Sequence, residues 1–561
     1  MQQRYFRTFL LLVCFPAISP PTAWAHPPAF HKVSTQGSAA NAPQNVCRGF
    51  VFQDTNGNRK RDPDEKGMEG ARVSNGKEIV LTNEEGRYEI GISEDSIVFI
   101  IKPRGWMTPV NALKLPEFYY IHKPNGSPDS RFPGVAPTGP LPESVDFPLT
   151  QQEEPDQFKA LMFGDTQPRN VQEVEYMAHD IIEQIVEEDA HDASFGVTLG
   201  DIVFDDLSVF KPHNQAIAMI GIPWYNVIGN HDINLDAPND KLSDETFESH
   251  FGPSYYSFDY GPVHFLALDD VEWIGASERQ RGHYQGGLGK EQMEFIKNDL
   301  ALIPKDQLVV LLMHIPLVNV EDRQELYRLI EERPFALSLS AHTHFVKHHF
   351  IDKEDGWQGK EPHHHIVNVT VCGSWWRGAT DELGIPHATM SDGGANGYSI
   401  LSFDGSQYKL EYRAARRPAS HQMSIYLPQE IHSWQSLTTA LVVNVFNGTK
   451  KSKAEMRLLP DGEWKELERV DGVDPFLADI KALEAGSTPP NGTPLPQPSV
   501  TDHLWRGLLP AMLPVGTHMF EVRTTDMHGQ VYVDRESIRV VAPPQPAPPA
   551  RPRATPPTAV R

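Results

Sequence analysis

The chain is poor in cysteine, in long apolar runs and in positive charge, and each shortage narrows what it can be. Three cysteines in 561 residues are too few for a disulfide-stapled scaffold. One of them, Cys14, falls in an N-terminal segment that reads as an export signal. The other two, Cys47 and Cys372, stand in different predicted domains and read as free buried thiols. Beyond the N-terminus no apolar stretch is long enough to cross a bilayer as a helix. Fifty Lys and Arg against 74 Asp and Glu give a formal charge of −24, so a broad electrostatic grip on nucleic acid is not favoured. Internal repeats are absent.

What is present starts with that N-terminal segment. Arg4 and Arg7 precede an apolar stretch from Phe9 to Ile18 and a small-x-small site at Ala23-Trp24-Ala25. We expect cleavage after Ala25 and a periplasmic or extracellular protein. Losing residues 1–25, with two arginines and no acidic residue, takes the formal charge from −24 to −26. The remaining length suggests about three domains. Residues 26–45 read as a polar disordered arm, and 46–150 as a small β-domain of short alternating strands. From 157 to 415 strands alternate with amphipathic helices, the pattern of an α/β domain. Residues 421–541 return to strands and read as a second β-sandwich, with 486–498 as a surface loop and 542–561 as a Pro-rich disordered tail.

Five short blocks in the α/β region carry the chemistry. They are Gly164-Asp165-Thr166-Gln167, Gly200-Asp201, Gly229-Asn230-His231-Asp232, Met313-His314 and Ala341-His342-Thr343-His344. Most follow an apolar strand-like run, so their side chains are presented together at one rim of the sheet. Asp232 aside, they supply two carboxylates, two amides and four imidazoles. That set suits two adjacent divalent ions and one free acid or base, an arrangement used above all for phosphate ester hydrolysis. Any single block has a commoner reading as a turn, a cap or a surface pair. Their order and shared position after strands is what makes them a site.

These blocks resemble those of the calcineurin-like metallophosphoesterase superfamily, in which D-x-H, G-D, G-N-H-[DE], a lone His and G-H-x-H recur in this order. The resemblance covers the central domain. It implies a four-layer α/β sandwich, here flanked by two β-sandwich-like domains as in certain exported bacterial enzymes. It also implies one metal held by Asp165, Gln167 and His344, and a second held by Asn230, His314 and His342. Asp201 would bridge the two ions, which would be Mn, Fe or Zn. His231 would stay off the metals and assist the leaving group while a metal-activated hydroxide attacks phosphorus. Two positions depart from the family pattern: Gln167 stands for His and Ala341 for Gly. An amide is the weaker ligand for transition metals, so the first metal should bind less tightly. The acidic partner of His231 would be Asp205 or Asp206, each of which could equally cap the following helix.

Around the blocks, Gly373-Ser374-Trp375-Trp376-Arg377 is expected to follow a strand over 369–372. Trp375, Trp376, Arg377 and Asn396 are expected to bind substrate through aromatic and phosphate contacts. His283 and Tyr284 read as surface loop, with a pocket wall as the alternative, and His363-His364-His365 as a mainly solvated triplet, of which one could line the site. In the N-terminal domain, Asp54, Asn56, Asn58, Lys60, Asp62 and Glu65 have the spacing of a calcium loop, with Arg59 where an EF-hand has Gly. A polar turn held by Asx hydrogen bonds is the alternative. The expected activity is hydrolysis of a small-molecule or headgroup phosphate ester, diesters ahead of monoesters. The rival readings are a phosphomonoesterase and a surface adhesion protein with a vestigial phosphoesterase domain.

Overall fold

A computed structural model describes residues 45–275 and 282–543. The expected export signal, and nearly all of the polar arm and the Pro-rich tail, lie outside these residues. Among the described residues no helix is long and apolar enough to cross a membrane.

The centre of the chain is built on two sheets. In the first, Trp224–Val227, Phe195–Leu199 and Gln157–Phe163 run parallel, and Gly397–Asp404 and Gln407–Ala414 complete the order antiparallel. In the second, Val263–Ala267, Leu308–Leu312, Ala336–Ser340 and His363–Val367 are parallel between the antiparallel edges Tyr256–Tyr260 and Lys347–Ile351. Strands such as Leu308–Leu312 are buried along their whole length, as expected where both faces of a sheet are covered. One face of the first sheet, with Met162, Val197 and Leu199, shares a core with Leu266, Val310 and Leu312 of the second. Its other face, with Leu161 and Phe163, packs on Val174, Met177, Ile181 and Ile185. These four residues recur at helical spacing, and the structure forms them into Val171–Met177, a π-helical turn Ala178–Ile182, and Glu183–Glu187. Helices Gly289–Leu300 and Arg323–Ile330 cover the second sheet with Phe295, Ile296, Leu326 and Tyr327.

Two four-stranded sheets precede this core. Arg87–Ile92, Asn45–Gln53, Phe147–Gln151 and Trp106–Met107 form one, and Ile79–Leu81, Arg72–Ser74, Ser96–Ile101 and Tyr119–His122 the other. Alternation decides their faces: in Arg87–Ile92, Tyr88, Ile90 and Ile92 point inward. After the core, a four-stranded and a five-stranded sheet enclose Leu441, Val443, Trp505, Phe520, Val522 and Ile538. Cys47 and Cys372 are both free and buried.

Four local expectations are corrected. Residues 369–372 form no strand; Thr370 makes a single bridge to Gly164, and a turn follows. Gly373, Trp375 and Trp376 all have φ between 51° and 57°, which an extended strand cannot accommodate. His363, His364 and His365 are buried, not solvated. Ser338 on the neighbouring strand bonds both His363 and His365 at 2.7 Å, and His364 bonds Tyr408, so each ring has a partner inside, although His363 Nδ1 has none among the described residues. The 486–498 segment is not purely surface: Gly492–Thr493 pairs with Gly378–Ala379, and Leu495 is 4% exposed. A helix at Pro475–Glu484 escaped the sequence reading, although Asp474 caps it and Pro475 opens it, a recognisable start signal.

Candidate metal centre

The five blocks meet where the two sheets end side by side. Gly164 prolongs Gln157–Phe163 of the first sheet, Thr370 lies beyond His363–Val367 of the second, and the bridge between them joins the rims. At each strand end the chain turns sharply. Asp165, Gln167, Asp201, Asp205, His342 and His344 all have positive φ, from 31° to 70°. Non-glycine residues in this region are costly, and a cluster of them marks a place where surroundings impose the backbone for a purpose.

The turns bring donor atoms together. His314 Nε2 lies 3.1 Å from Asn230 Oδ1, 3.1 Å from His342 Nδ1 and 3.3 Å from Asp201 Oδ1. Asp201, His314 and His342 can each offer one ligand atom with all three inside 4.8 Å of one another, the geometry of a metal-binding triad. His314 Nδ1 is 2.9 Å from the Leu199 carbonyl, which fixes that nitrogen as the donor and turns Nε2 toward the cluster. His344 is oriented the same way by the Gly373 carbonyl, 2.5 Å from its Nδ1. Its Nε2 lies 3.7 Å from Asp165 Oδ1. That oxygen is buried and has no hydrogen-bond partner among the described residues, whereas Oδ2 accepts from the His342 backbone N–H. Gln167 also reaches the cluster, with its amide nitrogen 2.5 Å from Asp201 Oδ2 and its oxygen 3.6 Å from Cys372 Sγ.

Electrostatics fit a site built for cations. Burial, with Asp201 alongside, pushes Asp165 up to about 8 despite the opposing charge of His314. Burial also lowers His342 to about 3 and His344 to about 4, leaving both imidazoles neutral and able to ligate. Burial would lower His314 too, but the charges of Asp201, Asp165 and Asp270 outweigh it and hold this residue up at about 10. A bound cation would take the place of that proton.

Asp232 completes the turn rather than the donor set. Its buried carboxylate accepts from the backbone N–H groups of Ile202, Val203 and Gly229, tying two blocks together. His231 stands beside the cluster. Its Nδ1 lies 2.6 Å from Asp205 Oδ1 and its ring stacks on Phe204 at 4.2 Å. Asp206, by contrast, caps the short helix Leu207–Val209 through the Ser208 N–H. The two adjacent acids thus divide the two roles that sequence left open.

The surrounding expectations separate as well. The Trp375 ring lies 4.1 Å from that of His344, and the Arg377 guanidinium is 5.8 Å from the centre of Trp375. Trp376 and Asn396 are buried, with their side-chain donors engaged inside the protein. Trp376 is 4% exposed and donates to the Thr166 carbonyl; Asn396 is 4% exposed and donates to Asp180 and the Val371 carbonyl. Tyr284 is exposed, as read from sequence, but it sits in a hairpin strand and not a loop, with its ring 6.0 Å from that of His342. In the 54–65 loop, Asp54 accepts from the N–H groups of Gly57 and Arg59, and Glu65 from those of Thr55 and Asp62. Asn56 and Asn58 both donate to Asp62, and Asn58 accepts from the Lys60 N–H, so the loop is closed by its own Asx-type bonds.

Comparison with known proteins adds three family matches in chain order. The N-terminal region of calcineurin-like phosphoesterases matches residues 54–133, the calcineurin-like phosphoesterase domain matches 158–346, and the C-terminal region matches 365–532. No curated protein sequence matches. Among solved structures, a dimetal phosphatase from Danio rerio is 14% identical, with 46% of this chain and 97% of that one covered at a TM-score of 0.33. Purple acid phosphatase PPD1 from yellow lupin (Lupinus luteus) seeds is 14% identical, with 66% of each chain covered at a TM-score of 0.34. The chain belongs to the calcineurin-like metallophosphoesterases, a metal-dependent hydrolase core carrying separate N- and C-terminal accessory domains.

Proposed function

We propose that this protein is an exported enzyme that hydrolyses phosphate esters, diesters ahead of monoesters, at a centre for two divalent or transition metal ions (Mn, Fe or Zn). The observation that carries the reading is the convergence of Asp201, His314, His342 and Asn230 on one point, with the unpartnered Asp165 oxygen and His344 beside it. The residues fit such ions: two buried carboxylates face the imidazoles of His314, His342 and His344, and one Asp165 oxygen is buried with no hydrogen-bond partner among the described residues. Asn230, His314 and His342 would hold one ion, Asp165, Gln167 and His344 the other, and Asp201 both. Bound there, the ions would supply Lewis acidity and lower the pKa of water toward about 7.

The chain's own contribution is proton handling at the leaving group. Water adds to phosphorus and loses a proton to solvent, the P–O bond to the alcohol breaks, and His231 Nε2 would deliver a proton to the departing oxygen and regain one from solvent. Asp205 keeps His231 oriented through Nδ1. Trp375 and Arg377 would contact substrate at the mouth, where the Arg377 guanidinium has no hydrogen bond or ion pair among the described residues. Export rests on residues 1–25, and a structural calcium ion on the 54–65 loop.

The test uses the mature chain. Bound metal is measured by elemental analysis, and turnover of bis-p-nitrophenyl phosphate and p-nitrophenyl phosphate is compared with added Mn²⁺, Zn²⁺ or Fe²⁺. About two ions per chain and metal-dependent turnover are expected. His231→Ala should lose roughly 10²- to 10⁴-fold in kcat with its metal content intact. Unchanged turnover in that variant would remove His231 from the mechanism.

A further inference from the structure

We propose that the C-terminal sandwich supports the metal centre directly: through Ser499 and His503 it positions His344, and it thereby sets the affinity of the first ion. The proposal rests on the two-ion reading above and separates the two ions by what holds their ligands.

His344 needs support from outside its own turn. Its φ of 56° lies in the left-handed region, where a residue other than glycine persists only if its surroundings impose the conformation. The bond at Nδ1 turns the ring but does not hold the backbone that carries it. That backbone is held by the turn at Ser391 and Asp392. The His344 carbonyl accepts from the Ser391 N–H at 3.2 Å and from Ser391 Oγ at 3.3 Å. Two residues on, the Val346 N–H donates to Asp392 Oδ2 at 2.8 Å.

The C-terminal sandwich grips the same turn from the other side. The Ser499 N–H donates to the Ser391 carbonyl at 2.7 Å, and Ser499 Oγ donates to Ser391 Oγ at 3.0 Å. His503, on the strand Thr501–Leu508, places Nε2 3.2 Å from Asp392 Oδ2 and Nδ1 2.8 Å from Asn444 Oδ1. Asn444, on the strand Ala440–Val445, returns to the turn by donating Nδ2 to the Asp392 carbonyl at 2.9 Å. Asp392 is therefore the joint: one carboxylate oxygen meets both the loop that carries His344 and the sandwich. Asp392 and His503 are each 1% exposed, so water does not replace a lost partner there.

The support is one-sided. The His342 N–H donates to Asp165 and its ring meets His314, while His314 is fixed by the Leu199 carbonyl. These bonds stay within the core. With His344 on the first ion and His314 and His342 on the second, the sandwich bears on the first ion alone.

Titration of the metal-free full chain with Zn²⁺ against a chelator tests this. His503→Leu takes the sandwich's partner from Asp392 and should weaken one of two Zn²⁺ equivalents about tenfold, leaving the other unchanged. His503→Gln, whose amide nitrogen takes the place of Nε2, should restore it. In a His344→Ala background, His503→Leu should change the remaining equivalent no further. Val522→Ala, in the sandwich core and away from this network, controls for lost stability and should leave both equivalents unchanged. If His503→Leu does not fold, Ser391→Ala replaces it; this variant removes only the Oγ bonds to His344 and Ser499 and should weaken the same equivalent. Equal weakening of both equivalents, no weakening, or the same loss in Val522→Ala overturns the positioning role and leaves the two-ion reading standing. A wild-type chain that binds fewer than two Zn²⁺ overturns both.

Discussion

His231 is the residue on which the proposed chemistry turns, and its setting gives a pH dependence. Burial lowers the affinity of this imidazole for a proton, but the charges of Asp201 and Asp205 outweigh it and raise the His231 pKa above the ordinary 6.5. The group therefore keeps its proton to a higher pH than a free imidazole. Asp205→Asn removes one source of that shift and weakens the bond at Nδ1. A pH profile of kcat/KM should show the alkaline limb moved to lower pH in this variant. An alkaline limb that stays in place would mean that another group sets it. Gln167 offers a second prediction. It stands where the family has His, and an amide would be the weaker ligand for the first of the two proposed ions. Gln167→His should tighten binding of the weaker of two Zn²⁺ equivalents about tenfold, measured by titration against a chelator. At this scale the sequence was informative wherever a residue follows a strand directly, because the strand fixes where its side chain is delivered. It could not separate Asp205 from Asp206, since only the turn geometry, with φ of 59° at Asp205, sends one acid to His231 and the other to a helix cap. The ring contact of the exposed Tyr284 with His342 was out of reach for a similar reason: the two lie 58 positions apart, and nothing local marks the contact.

Among the elements, the turns after the strands constrain the site most tightly. Gly200 has φ of 82°, and a Cβ there would come within 2.5 Å of the His314 ring. Gly200→Ala should destabilise the protein by at least about 2 kcal/mol in urea unfolding, from left-handed backbone strain plus the clash. It should also lower metal content, because the ring that moves is the one at the centre of the triad. The strand His363–Val367 gives a different expectation. Burial lowers His363 to about 3 and His348 and His349 to about 4, against 6.5 for the exposed group. Unfolding therefore takes up protons below pH 6.5, and stability falls progressively as the pH drops toward about 4. Circular dichroism melts from pH 7 to pH 4 should show this decline. A His363→Gln, His348→Gln double variant should flatten it. The sandwich strands and the main amphipathic helices were legible because periodicity of 2 or 3.6 survives in their apolar residues. The histidine strand was not, because its burial is stabilised by serine hydroxyls on a neighbouring strand instead of by apolar side chains.

For the whole molecule, the N-terminal sheets are joined to the catalytic core through buried charge. Arg72 contacts Asp259 at 2.5 Å and Asp299 at 3.3 Å, and His264 lies between these two acids at 2.7 and 2.8 Å. Lys102 pairs with Glu154 at 2.6 Å, both nearly inaccessible. Removing one partner from such a network leaves a buried charge uncompensated, so Arg72→Ala should cost about 3–5 kcal/mol. Chemical unfolding followed by tryptophan fluorescence and by far-UV circular dichroism should give coincident transitions for residues 45–543, shifted together in the variant. Separate transitions would show that the N-terminal region folds on its own. The three-part layout could be read from the change in pattern along the chain. These links could not, because Arg72 meets acids 187 and 227 positions away.

The left-handed turns at the sheet rims carry one further consequence, for the order of events during folding. The donor atoms span positions 165 to 344 and stand at the ends of strands of two sheets joined by the Gly164–Thr370 bridge, so the set should be complete only once those sheets have formed. An unfolded chain holds no preformed set of ligands across that distance, and gathering them early would incur the loop-closure entropy before any strand pairing offsets it. Metal should thus be the last component to arrive, unlike the ion of a small zinc module, which recruits its chain. Chelators should strip the ions while leaving the refolding rate unchanged.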